Sequence, residues 1–291
     1  MRIARVMFQE AIWIGLVNPL ESSIQLIAEQ QASFDPTIAF IENYIDKPTP
    51  DITGKVVSFS DVTFLPPIEK PSKNVICVGK NYIEHAKEFS GSGYDSSASD
   101  KNDVIPDAPI MFSKAPGSMV GAYEDVLVPW DLSSEIDYEA ELGVIIGRGG
   151  RSIPEQEAYE HVFGYTIIND ITARDLQSRH KQWLLGKSID TFCPIGPWIV
   201  TADELDPENL QLNCWVNGER RQHANTSDLI FNIPNIIATA SASMALSPGD
   251  IIATGTPVGV GIGFTPPCFL KSGDVVKVEI SNIGVIENTI V

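Results

Sequence analysis

Cysteine is scarce in this 291-residue chain, and the four present, Cys77, Cys193, Cys214 and Cys268, are widely scattered with no Cys-x-x-Cys pair. That spacing argues against a zinc ribbon, a disulfide framework and a redox dithiol alike. Positive charge is also short: 20 Lys and Arg stand against 38 Asp and Glu, a formal net charge of −18. A nucleic acid or an anionic membrane is therefore a poor principal partner. No apolar run approaches the roughly 20 residues of a membrane-spanning helix. The stretch Met1-Arg2-Ile3-Ala4-Arg5-Val6-Met7-Phe8 is interrupted by Gln9 and Glu10, unlike a secretory signal, so a cytoplasmic location is expected. A hydrophobic share of 43% and a charged share of 20% are ordinary for a globular protein, and the length allows one large domain or a main domain with an appendage.

What the chain does have is an unusual strand. Asp137-Tyr138-Glu139-Ala140-Glu141-Leu142-Gly143-Val144-Ile145-Ile146-Gly147 reads as a buried strand carrying two carboxylates one residue apart. Alternate side chains of a strand share a face, so Glu139 and Glu141 point the same way, roughly 7 Å apart. Two negative charges beside a core repel and lose hydration, and a divalent cation compensates both costs.

Around this strand the chain divides at Leu65-Pro66-Pro67-Ile68-Glu69-Lys70-Pro71-Ser72-Lys73, a proline-rich junction between a small N-terminal unit (1–70) and a main domain (71–291). Beyond it come a short strand from Asn74 to Val78, a short helix bearing His85 and Glu88, and a polar stretch from Ser90 to Asp103 with almost nothing to bury, a candidate lid. Further helices are expected over about Ser152–Val162, Thr172–Leu184 and Asp228–Ala245, with a strand over Gly164–Asn169. Asn217-Gly218, Gly249-Asp250 and Gly273-Asp274 mark turns between short strands near the end. Many turn-bounded strands with few helices indicate an α+β protein built around β-sheets.

Several residues can carry chemistry. Asp170 ends a strand, and Arg174 and Gln177 follow at a spacing of three on the next helix. Asp170 and Arg174 also fit an ordinary ion pair at a helix start. Set beside Glu139 and Glu141, Asp170 completes an all-oxygen ligand set that suits Mg²⁺ or Mn²⁺, less well Ca²⁺, and not zinc or copper. Three carboxylates and one divalent ion leave a single negative charge, so an anionic ligand needs help from Arg174 and Lys187. His85 and Glu88 can touch across one helical turn, a carboxylate–imidazole pair suited to a general base or to a structural contact. The glycine-rich run Ala253–Gly263 is not a dinucleotide motif, because Phe264-Thr265-Pro266-Pro267 follows where a helix is required. Its N–H groups and the Thr256 hydroxyl can bind a carboxylate, or its glycines can serve conformation alone.

Taken in chain order, Ile76–Tyr82 with His85 and Glu88, Asp137–Leu142, Gly164–Gln177, Gly186-Lys187-Ser188 and Thr254-Gly255-Thr256-Pro257 resemble the fumarylacetoacetate hydrolase superfamily, from about Lys73 to Ile290. The resemblance implies a mixed β-sandwich roll with a small N-terminal domain, usually as a homodimer. It implies Mg²⁺ or Mn²⁺ held by Glu139, Glu141 and Asp170, and a water-activating dyad of His85 and Glu88 on a mobile lid helix. It also implies a catalytic role for Lys187, with Arg174, Gln177, Thr256, Lys80 and Lys114 as substrate contacts. The expected activity is cleavage of a C–C bond in a small 2-oxo acid, by acylpyruvate hydrolysis or oxaloacetate decarboxylation through a metal-stabilised enolate. Isomerisation of 2-hydroxyhepta-2,4-diene-1,7-dioate or 5-carboxymethyl-2-hydroxymuconate is the alternative. A metal-binding scaffold without turnover is the non-enzymatic reading.

Overall fold

The computed structural model describes residues 1–27, 35–46, 52–95 and 104–291. Its main sheet is mixed and runs, edge to edge, through Ile52–Ser58, Ser23–Ile27, Ala11–Asn18, Arg2–Phe8, Cys193–Thr201, Val162–Asn169, Ala140–Ile146, Ile251–Ala253, Val75–Gly79 and Ile110–Lys114. Short strands Thr63–Phe64 and Met119–Val120 add to Arg2–Phe8 and Cys193–Thr201. A second, four-stranded sheet is antiparallel: Glu219–Asn225, Gln211–Val216, Val275–Ile280 and Gly284–Thr289. The α+β roll expected from the sequence is what forms.

Burial separates the two sheets. Ala140–Ile146, Val162–Asn169 and Cys193–Thr201 are buried at every position, the pattern of strands covered on both faces. Gln211–Val216 and Val275–Ile280 alternate between buried and half-buried side chains, as a sheet with one wet face does. One core joins the two sheets, with Leu142, Val144 and Tyr165 from the first packed with Leu212, Val278 and Ile286 from the second. Ile145 faces a smaller cluster on the other side, with Ile168, Cys77, Cys193 and Ala253. Glu141 lies two residues from Gly143 and four from Ile145 along the strand, so it points to that second, largely apolar face.

The N-terminal strands continue the same sheet, with Arg2 opposite Val200 and Ile3 opposite Ile199. The proline-rich junction is pinned by carboxylates: Asp35 accepts from the N–H groups of Glu69 (2.6 Å) and Lys70 (3.1 Å), and Asp250 accepts from Ser72 and Lys73.

Element boundaries differ from the sequence expectation for local reasons. The strand through the two glutamates begins at Ala140, because the Glu139 N–H donates to the Asn169 side chain (3.0 Å) and leaves the ladder. The helix expected over Thr172–Leu184 is two short ones, Arg174–His180 and Leu184–Lys187, separated by Lys181 at φ 59°, a left-handed residue that stops a helix. The segment after Pro154 forms a tight 3₁₀ helix, Glu155–His161, in place of an α-helix. Ile233–Ser243 forms as expected, with Asn232 accepting from the Asn235 N–H and Ile233, Ile236, Ile237 and Ala240 buried. The helix holding His85 and Glu88 spans Ile83–Gly91. Of the polar stretch that follows, 96–103 lie outside the described residues. Among the described residues no helix is long and apolar enough to cross a membrane.

Candidate metal and acid–base site

The floor of the site is built by strand ends. Asp170 N–H donates to the Glu139 carbonyl (2.8 Å), which locks the end of Val162–Asn169 beside the start of Ala140–Ile146. Glu139, Glu141 and Asp170 are all buried, and one carboxylate oxygen from each lies within 4.8 Å of the others.

Three cations serve this floor. Lys187 Nζ bridges Glu139 Oε2 (2.7 Å) and Asp170 Oδ2 (2.8 Å). Lys114 Nζ lies 2.6 Å from Asp170 Oδ1 and donates to the Ile171 carbonyl. Arg174 donates from Nε to Asp137 Oδ2 (2.9 Å) and from Nη1 to Gln177 Oε1 (3.1 Å). Its Nη2 is 2.7 Å from Glu139 Oε1 but out of line for a hydrogen bond, and so keeps donor capacity. Glu141 makes no ion pair among the described residues and is held by the Gly255 N–H at Oε2 (2.8 Å).

The two glutamates consequently differ. Burial pushes the Glu139 carboxyl up, but Lys187 and Arg174 outweigh burial and bring it down to about 2. Burial, then repulsion from Asp170 and Glu139, raises Glu141 well above the usual carboxylate range. Burial lowers the Lys187 ammonium, and Asp170 and Glu139 more than reverse that, so Lys187 stays charged. Four buried carboxylates, counting Asp137, face three buried cations, and the surplus negative charge falls where Glu141 has no cation of its own. Hard oxygen donors at this spacing with one unneutralised carboxylate fit Mg²⁺ or Mn²⁺.

The glycine-rich run binds carboxylates, but they are the protein's own. Gly255 N–H holds Glu141, Gly259 N–H donates to Glu88 Oε1 (3.1 Å), and Gly261 and Ile262 N–H donate to Asp137 Oδ1 (2.6 Å) and Oδ2 (3.1 Å). A Cβ at Gly261 would lie 2.7 Å from Asp137 Oδ1, and one at Gly263 would lie 1.8 Å from Glu88 Oε1. Here the glycines serve close approach of backbone to carboxylate. The Thr256 hydroxyl is engaged within the fold, donating to Ala140 O (2.9 Å) and accepting from Gln222 Nε2 (2.8 Å).

His85 Nδ1 lies 3.1 Å from Glu88 Oε2. An ionised carboxylate only accepts, so Nδ1 carries the proton and Nε2 is left as the basic nitrogen. His85, Glu139, Glu141, Arg174, Gln177 and Lys187 line one cavity together with Lys80 and Thr256. Only about 20 Å³ of it admits the centre of a water molecule, room for about one water. The rest of the lining is apolar, formed by Val78, Gly79, Phe89, Phe112 and Trp183. Lys80 is buried, adopts φ 56° and pairs with Asp95 just after the His85 helix.

Most of the residues singled out from sequence thus converge. Asp170, Lys114 and Glu88 stand behind the lining; Lys114, fully buried, contacts Asp170 and Ile171. Sequence reasoning gave no role to Asp137, which joins Arg174 to the glycine-rich strap, or to the aromatic wall. The signal for Asp137 was an arginine that had to be buried, since a buried guanidinium needs more than one acceptor.

The family model described as Fumarylacetoacetate (FAA) hydrolase C-terminal matches residues 74–291. Oxaloacetate tautomerase YisK of Bacillus subtilis (strain 168) is 47% identical over 270 residues, 92% of this chain and 86% of that protein. The solved structure of a fumarylacetoacetate hydrolase (EaFAH) from psychrophilic Exiguobacterium antarcticum superposes with a TM-score of 0.85 at 38% identity, covering 100% of this chain and 99% of that one. A maleylpyruvate hydrolase from Sphingobium sp. SYK-6, solved in complex with manganese (II) ion and pyruvate, gives a TM-score of 0.78 at 31% identity, with 100% and 99% coverage. A family match over residues 74–291, with likeness extending over the N-terminal strands as well, establishes that this chain belongs to the fumarylacetoacetate hydrolase family and is an enzyme of that superfamily.

Proposed function

We propose that this enzyme acts on oxaloacetate or a near 2-oxo acid, moving a proton between C3 and the keto oxygen with a divalent metal bound at Glu139, Glu141 and Asp170. The observation that carries the reading is one cavity lined by Glu139 and Glu141 of the acidic floor, a guanidinium with a free donor and the basic nitrogen of a carboxylate-held histidine. The identity of 47% to a protein named oxaloacetate tautomerase supports the substrate. When bound, Mg²⁺ or Mn²⁺ supplies Lewis acidity toward the oxygens of a 2-oxo acid, which acidifies its C3–H.

The chain's own residues do the rest. Arg174, fixed by Asp137 and Gln177, turns Nη2 toward the cavity to take a substrate carboxylate. Gln177 spends its amide oxygen on Arg174 and offers its NH₂. Lys187 stays protonated and stabilises negative charge as the C3 proton leaves. His85 Nε2 removes the proton at one position and returns it at the other, and Glu88 keeps Nδ1 protonated throughout. The small apolar wall excludes water that would compete for the proton.

A second reading keeps the site and changes the bond: His85 activates water for hydrolysis of an acylpyruvate. Likeness to the manganese- and pyruvate-bound maleylpyruvate hydrolase favours it. The two separate by assay with Mn²⁺. Loss of the ultraviolet absorbance of enol-oxaloacetate, accelerated by the wild type and slowed roughly 10²-fold or more in His85→Gln with calorimetric Mn²⁺ binding unchanged, is the expected result. Pyruvate release from acetylpyruvate without any effect on the enol would move the assignment to hydrolysis. Activity on neither substrate sinks both.

A further inference from the structure

We propose that Trp183, seated on Gly79 and flanked by Phe112 and Phe89, fixes the chain length of the acid this site accepts. With the Ile83–Gly91 helix that carries Phe89 and His85 drawn back from a cavity that here holds about one water, it admits acids of pyruvate and oxaloacetate size and turns away longer acyl chains. The inference rests on the 2-oxo acid reading above and names what that site rejects.

The wall stands directly against the cations that would hold an acid. Lys187 Nζ is 5.0 Å from the centre of the Phe112 ring, and the Arg174 guanidinium carbon is 5.8 Å from the centre of Phe89. A ligand bonded to either cation on its aromatic side therefore meets an aromatic face. Trp183 closes the gap between those faces, with ring centres 5.0 Å from Phe112 and 5.9 Å from Phe89, both edge-on.

The wall also has nowhere to retreat. Phe112 lies on Ile110–Lys114, paired with Val75–Gly79 through Cys77, so its backbone belongs to the main sheet. A Cβ built on Gly79 would lie 2.6 Å from Trp183 Cζ3 and 3.0 Å from Cη2, so the indole rests on bare backbone. Even the smallest side chain at that position would displace it. The Trp183 carbonyl accepts from Gly186 N–H (3.0 Å) and Lys187 N–H (3.1 Å), which ties the wall in register with the lysine of the floor. Phe89, by contrast, rides on the Ile83–Gly91 helix. Gly79 and Phe112 are thus fixed by the sheet, Trp183 by its seat on Gly79 and its tie to the Leu184–Lys187 helix, and only Phe89 rides on the outer helix, and close packing makes the fixed sides selective for size.

The test compares the wild type with Trp183→Ala and Trp183→Phe, all loaded with Mn²⁺, on oxaloacetate and on acylpyruvates of increasing acyl length. Turnover is followed, and binding of each acid is followed by calorimetry. Each methylene newly accommodated should raise kcat/KM for the longer acid relative to oxaloacetate by roughly tenfold or more in Trp183→Ala. A smaller gain is expected in Trp183→Phe, which keeps a buried ring and guards against a variant that fails to fold. An unchanged kcat/KM ratio between the longer acids and oxaloacetate in folded Trp183→Phe and Trp183→Ala overturns the wall and leaves the function standing. If the wild type neither binds nor converts any 2-oxo acid, the functional reading itself has failed and the length filter falls with it.

Discussion

The acidic floor and the glycine-rich strap beside it both hold buried carboxylates, and they do so by opposite means. On the floor, Glu139 and Asp170 are neutralised by long side chains, Lys187, Lys114 and Arg174. Along the strap, Glu88, Asp137 and Glu141 are held chiefly by backbone N–H groups of Gly259, Gly261, Ile262 and Gly255. Side-chain cations bring net charge and can exchange with a metal. Backbone donors bring position without charge, and they require residues without Cβ. The difference assigns the floor to charge and the strap to geometry, and each assignment can be broken separately.

The largest expected effect is on the strap. Gly263 is not among the glycines at positive φ, so Gly263→Ala tests the added Cβ alone. That atom would lie 1.8 Å from Glu88 Oε1, so Glu88 must leave its seat and His85 loses the partner that fixes its tautomer. Turnover should fall roughly 10²-fold or more, while calorimetric Mn²⁺ affinity stays at the wild-type value. Loss of metal affinity in this variant would show that strap and floor are not separable.

On the floor, Lys187→Met removes the cation shared by Glu139 and Asp170. Breaking a buried ion pair by deleting one partner costs about 3 kcal/mol or more, read by denaturant unfolding of the metal-free protein. Saturating Mn²⁺ should recover more of that stability in Lys187→Met than it adds to the wild type, because the ion replaces the lost charge. Equal gains in both proteins would mean that Lys187 and the metal do not share the same carboxylates.

The same division governs what could be read from sequence. Glu139 and Glu141 were legible because two carboxylates in an apolar run violate the usual rule for a strand. Asp170 was legible from its place at a strand end, and His85 with Glu88 from helical spacing. The α+β class was legible from turn-bounded strands, and the roll only from the family resemblance. The partners of the glycines were not, because Gly259 and Glu88 are joined only by folding, far apart in sequence, and a backbone donor leaves no residue type to recognise. Trp183 likewise left no signal in the sequence, since its contact with Gly79 depends on two segments meeting. The family resemblance implied a substrate contact for Lys114, and its burial on Asp170 is a fact of packing that no motif reveals.

Glu141 gives the smallest and most direct comparison, because it belongs to both regions: a floor carboxylate held by a strap N–H. Glu139, brought down to about 2 by Lys187 and Arg174, is ionised throughout the working range and contributes no pH dependence there. Glu141, raised by burial and by Asp170 and Glu139, keeps its proton to higher pH in the metal-free protein. Ligation requires the carboxylate, so Mn²⁺ must displace that proton. The sign follows: affinity rises with pH, by about tenfold per unit while Glu141 is protonated in the metal-free state, and levels off above its folded pKa. Calorimetry in buffers of different ionisation enthalpy should register about one proton released per ion on the rising limb, and Glu141→Gln should flatten the dependence while weakening binding. A pH-independent Mn²⁺ affinity in the wild type would place Glu141 outside the ligand set and leave Glu139 and Asp170 alone on the floor.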